Sequence, residues 1–153
     1  MIVFFNQRLL NERNLKLNKP DIGTICKELF DEFHGILSWK WDDWVGTILA
    51  EVDADKKEDV QIILEKYLPV SWDASNMETA PPIVQAIDKN LGGIRSGQLL
   101  FNSDPTQGAF VFCAWWPWGN GKTISIRIAP YDKNLSETEA NQLIEQLKGW
   151  ADI

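Results

Sequence analysis

The residues that could do chemistry in this chain are few. It has one histidine, His34, and two cysteines, Cys26 and Cys113. Ser-His-Asp or Cys-His catalysis would have to use that single imidazole. No Gly-x-Ser-x-Gly occurs, and Cys26 lies two helical turns before His34, too far for direct activation. His34 falls in the last turn of a predicted helix, where a cation suits the helix dipole. With neither Cys-x-x-Cys nor a Cys/His cluster, a zinc site is not expected. Each cysteine sits in an apolar pattern and reads as a free, buried thiol, a usage that fits a reducing cytosol.

Gly119-Asn120-Gly121-Lys122-Thr123 ends in Gly-Lys-Thr. A phosphate loop needs a glycine five residues before the Gly-Lys pair and a helix after it. Trp116 holds that glycine's place, and Lys122 runs into a predicted strand, so the segment reads as a hairpin turn. Leu91-Gly92-Gly93 to Gly97 lacks a full dinucleotide fingerprint and precedes a strand. Neighbouring carboxylates such as Asp42 and Asp43 leave carboxylate-only hydrolysis open, although solvated acidic faces look the same.

Binding is the stronger reading. The formal charge is −7, which disfavours nucleic acid or an anionic membrane as partner. Asp42, Asp43, Glu51, Asp53, Asp55, Glu58 and Asp59 stand against only Lys56 and Lys57 between positions 42 and 59, a local charge of −5. An acidic patch of this kind steers a basic protein partner. Trp is enriched at interface hot spots, and the chain has eight. The candidate partner-binding residues are therefore Asp42, Asp43, Asp53, Asp55, Glu58, Asp59, Trp41 and Trp118. Trp118 stands in a turn, while Trp115 and Trp116 point to opposite faces of a strand and read as core.

Several elements must position these residues. Met1 to Phe5 reads as a short strand or apolar plug, too short for a signal peptide, and Asn11 to Lys19 as a loop. Ile22, Ile25, Cys26, Leu29, Phe30, Phe33 and Ile36 recur at helical spacing, with Asp21 as cap. Trp41, Trp44, Val45, Ile48 and Leu49 suggest a short helix. Asp55 and Glu58 form a capping-box variant for a helix with Val60, Ile63, Leu64 and Tyr67 inward, stopped by Pro69; Ile62 falls on its far side. Val70 to Met77 reads as irregular. Thr79 caps a helix entered through Pro81 and Pro82 and ended by Gly92 and Gly93.

Three strands follow, Gln98–Asn102, Ala109–Trp116 and Thr123–Ala129. The second is apolar on both faces and hence central, and the third alternates with Ile124, Ile126 and Ile128 inward. Ser136 and Glu139 cap a final amphipathic helix. The expectation is a single α+β domain over residues 1–153: a three- or four-stranded antiparallel meander packed against four to five helices. No membrane span is visible.

Size, acidity and missing catalytic motifs are similar to the general class of bacterial immunity proteins, which neutralise toxin domains, often basic nucleases. The resemblance is one of class and carries no residue roles. It implies a non-catalytic cytoplasmic inhibitor that needs no cofactor or metal and binds a basic toxin domain. The rival is a small-molecule or carbohydrate-binding module with a Trp-lined cleft.

Overall fold

The computed structural model describes residues 22–107 and 109–153. Met1–Phe5, the loop 11–19 and the Asp21 cap lie outside the described residues.

The centre is a six-stranded antiparallel sheet, not a meander of three or four strands. Its strands are β1 (Lys40–Asp42), β2 (Thr47–Asp53), β3 (Val70–Trp72), β4 (Leu99–Asn102), β5 (Ala109–Pro117) and β6 (Thr123–Asp132). Their spatial order is β1-β2-β6-β5-β4-β3. Four helices accompany them among the described residues: α1 (Ile22–Phe33), α2 (Lys57–Tyr67), α3 (Pro82–Asn90) and α4 (Glu137–Trp150).

The largest correction falls on residues 40–53. The helix expected over Trp41–Leu49 is instead the β1–β2 hairpin. Trp41, Trp44, Val45 and Ile48 satisfy helical spacing, but Ile48, Ala50 and Val52 satisfy period two and all three are buried. Gly46 adopts φ +74°, a left-handed conformation that closes a tight turn and ends any helix. Asp42 fixes the turn by accepting Trp44 N–H on Oδ1 and Gly46 N–H on its carbonyl. The other added strand, β3, lies in the stretch read as irregular, where Val70 and Trp72 pair with Asn102 and Leu100.

Two caps also differ. Asp55 and Glu58 form no capping box; a single 3₁₀ turn, Ala54–Lys56, leads into α2, and no side chain caps that helix. Ala54 N–H bonds to the Lys122 carbonyl at 2.8 Å, so the end of the sheet sets the entry to α2. Thr79 closes a 3₁₀ turn by donating from Oγ1 to the Asn76 carbonyl, while Pro81 stands at the start of α3. The capping box of Ser136 and Glu139 on α4 forms as expected, and Gly92 and Gly93 take positive φ after α3.

The sheet is covered unequally. On one face Ile48, Val52, Val111, Cys113, Trp115 and Ile126 pack against Phe30 and Phe33 of α1, Val60 and Leu64 of α2 and Leu147 of α4. On the other, Val84 and Ile87 of α3 cover Leu100, Phe110, Phe112 and Ala114 of β4 and β5. The two-faced reading of β5 therefore holds. On this second face the outer strands are more open: Lys40, Glu51 and Asp53 are exposed and Asp42 is half-buried. Both cysteines are buried.

Candidate binding surfaces

The hairpin divides the acidic segment. Asp42 and Asp43 lie at the β1–β2 turn, whereas Asp53 ends β2. Thr47, the partner of Asp42, and Asp53 stand at opposite ends of the seven-residue strand β2, roughly 20 Å apart at about 3.4 Å per residue. The eight residues singled out from the sequence thus fall into two groups: Trp41, Asp42 and Asp43 at one end, and Asp53, Asp55, Glu58, Asp59 and Trp118 at the other.

At the turn end, charge is largely spent on structure. Asp42 is ion-paired and hydrogen-bonded to Nη1 of Arg127, whose guanidinium lies over the Trp116 ring with its carbon 4.9 Å from the centroid. The Arg127 hydrogen bond, reinforced by the backbone N–H of Trp44, holds the Asp42 carboxyl below the usual carboxylate range. Trp41 is half-buried against the main core; its Nε1 donates to Asp43 and the Lys148 ammonium sits 4.7 Å from its ring centroid. Glu51, midway along β2, faces Lys40 at 4.0 Å.

The Asp42–Arg127 pair carries a pH signature. Because the folded pKa of Asp42 lies below its unfolded value of about 3.9, the pair contributes stability above that value. The contribution is lost as pH falls through the folded pKa. Asp42→Asn should therefore cost about 1–3 kcal/mol at pH 7, the worth of a hydrogen bond to a charged group, and clearly less under strong acid. Urea unfolding of both proteins at neutral and acidic pH measures this, and an equal cost at both pH values would contradict it.

The other end is assembled by backbone hydrogen bonds. Asp53 pairs with Thr123, Ala54 N–H reaches the Lys122 carbonyl, and Trp118 N–H reaches the Thr123 carbonyl. Asn120 Oδ1 accepts from the N–H groups of Lys122 and Thr123, so Gly-Lys-Thr forms a hairpin turn here. Asp53, Asp55, Glu58, Asp59 and Trp118 are all exposed. None of the four carboxylates forms an ion pair among the described residues. Trp118 is 43% exposed and donates from Nε1 to Ser125 Oγ at 2.7 Å, which fixes the ring against the open part of the second face. Lys56, Lys57 and Lys122 are exposed at the same end. The −5 of the linear segment thus becomes a mixed surface, four carboxylates interleaved with three lysines.

One functional candidate was missed. Trp44 is 95% exposed, although its spacing placed it in a short helix; only the turn geometry reveals it. It stands at the rim of a cleft of about 590 Å³ between the β1–β2 turn and α3, with Phe112 and Tyr131 among the residues below. Thr47 lines the same cleft, is 1% exposed, and its Oγ1 has no hydrogen-bond partner among the described residues.

His34 is exposed just beyond α1. Burial pushes the Cys113 thiol far up, which suits a packed group rather than a nucleophile. Among the described residues no group of three or more His, Cys, Asp or Glu side chains is placed to hold a metal ion, and no helix is long and apolar enough to cross a membrane. No known protein family matches the chain, and no curated protein or solved structure matches it.

Proposed function

We propose that this chain is a non-catalytic protein-binding module, an immunity-type inhibitor that occludes a basic toxin or nuclease domain. The observation that carries the reading is that Trp118 and the carboxylates Asp53, Asp55, Glu58 and Asp59 all face solvent at the same end of the sheet, where Asp53 pairs with Thr123. A fixed aromatic ring supplies an anchor with little conformational freedom to lose. The exposed carboxylates at the same end supply long-range attraction and register. The net charge of −7 extends that attraction over the whole surface. The three lysines at this end make the pattern selective, since a uniformly basic surface meets them unfavourably. Residence in the cytoplasm is part of the proposal and fits a chain with only two cysteines, both buried.

The test is a binding titration against basic toxin or nuclease domains, beginning with any encoded beside this chain's gene, with wild type and Trp118→Ala. An anchor ring at an interface centre gives a loss of about 30-fold in Kd. An affinity unchanged by Trp118→Ala would remove the anchor from the proposal, and the absence of any complex would remove the function.

A further inference from the structure

We infer that the cleft between the β1–β2 turn and α3 is a binding site for an uncharged saccharide ring, separate from the acidic end and independent of the protein-binding reading. Its volume, about 590 Å³, lies in the range of small-ligand sites. None of the residues lining it is Asp, Glu, Lys or Arg. A charged ligand would lose solvation there without a counter-charge, so the occupant is neutral. Trp44 offers a nearly bare indole at the rim, and Ile83, Leu91 and Tyr131 add partly exposed apolar surface. The occupant therefore has an apolar face.

The same walls carry hydrogen-bonding groups. The Asn90 amide is exposed beside Leu91, the Tyr131 phenol borders the floor, and the Thr47 hydroxyl is buried and unpartnered among the described residues. A pyranose combines these traits: C–H groups on one face, hydroxyls at the edge and no charge. An aromatic hydrocarbon meets the first demand but not the second.

The backbone that carries the indole is held in place. The backbone N–H of Trp44 is bonded to Asp42, and Asp42 is anchored by Arg127. A fixed backbone keeps the indole at the mouth of the cleft, so a ligand that covers it orders only the side chain.

The experiment is amide chemical-shift mapping of the full chain with cellobiose, lactose and N,N′-diacetylchitobiose, alongside glucuronate as a charged probe and indole as an apolar one. The expected result is saturable shifts at Gly46, Thr47, Asn90 and Tyr131 with at least one neutral disaccharide. Glucuronate binds more weakly. Trp44→Ala weakens binding about tenfold, as loss of one stacking face implies, while Trp118→Ala leaves it unchanged. Trp44 is exposed, so the variant folds. The inference is overturned if no disaccharide in the panel shifts these amides, if indole alone does, or if Trp44→Ala leaves the affinity intact. None of these results bears on the protein partner, whose binding is read at Trp118.

Discussion

Trp115→Ala is expected to destabilise the protein by about 3–5 kcal/mol, the range for deleting a buried aromatic side chain. Trp116→Ala, one residue along, should cost only about 1–2 kcal/mol. The two rings leave β5 on opposite faces. Trp115 is 4% exposed and packs edge-on against Phe101, centroids 6.0 Å apart, within the core shared with α1, α2 and α4. Its removal opens a cavity among residues that cannot collapse without shifting those helices. Trp116 is half-buried, and a principal contact is the Arg127 guanidinium over its ring, a cation–π interaction worth about 0.5–2 kcal/mol. Domain stabilities are about 5–15 kcal/mol, so the first change consumes a large share and the second does not. Equilibrium urea denaturation of both variants decides the matter. Equal losses, or the reverse order, would mean that the face assignment of β5 is wrong.

The second large effect concerns association. Replacing Asp55, Glu58 and Asp59 together by lysine is expected to slow encounter with a basic partner by about 100-fold at low ionic strength. Steering by such fields is worth about 10–1,000-fold in rate. The gap should shrink as salt rises and the Debye length falls below about 10 Å. Dissociation should change less, because exposed charges at an interface rim act mainly on the on-rate. Glu58 and Asp59 also lie in the first turn of α2, where carboxylates favour the helix dipole by about 0.3–1 kcal/mol each. Reversal should therefore cost some stability as well. The neutral set Asp55→Asn, Glu58→Gln and Asp59→Asn separates the two roles. It largely spares the helix and removes the attraction, so it should still slow association severalfold. If the neutral set binds as wild type does, these carboxylates serve α2 and not a partner.

Much of the fold was legible where local pattern and tertiary context agree. The α1 stripe from Ile22 to Phe33, the Ser136–Glu139 box of α4, the turn at Asn120 and the two apolar faces of β5 each express a local rule that the packing then uses, whereas Ile36, read as the last member of that stripe, lies beyond the helix and is 41% exposed. The hairpin at 40–53 was not legible, because Trp41, Trp44, Val45 and Ile48 fit period 3.6 as well as a strand–turn–strand does. Gly46 was the available signal, and it pointed to a turn. Strand β3 is three residues long and owes its pairing to β4, about thirty positions away; nothing in Val70-Ser71-Trp72 alone demands a strand. The pairing of β2 with β6 joins residues more than seventy positions apart, and sequence spacing carries no trace of it.

That same pairing explains the partial legibility of the site. It brings Arg127 to Asp42, 85 positions away, and removes Asp42 from the free charges. It also brings Trp118 and Lys122 beside Asp53 and Ala54. A linear count of carboxylates saw the charge but could not see the strand that divides it, nor the lysine that joins it from β6's leading turn.

The most direct measurement is an amide hydrogen-exchange footprint of the chain with and without a basic toxin domain of the kind proposed as its partner. The account predicts new protection at residues 53–59 and 118–122 together, with the β1–β2 turn at 43–46 unchanged. Protection confined to that turn, or to the edge strand β3, would contradict it.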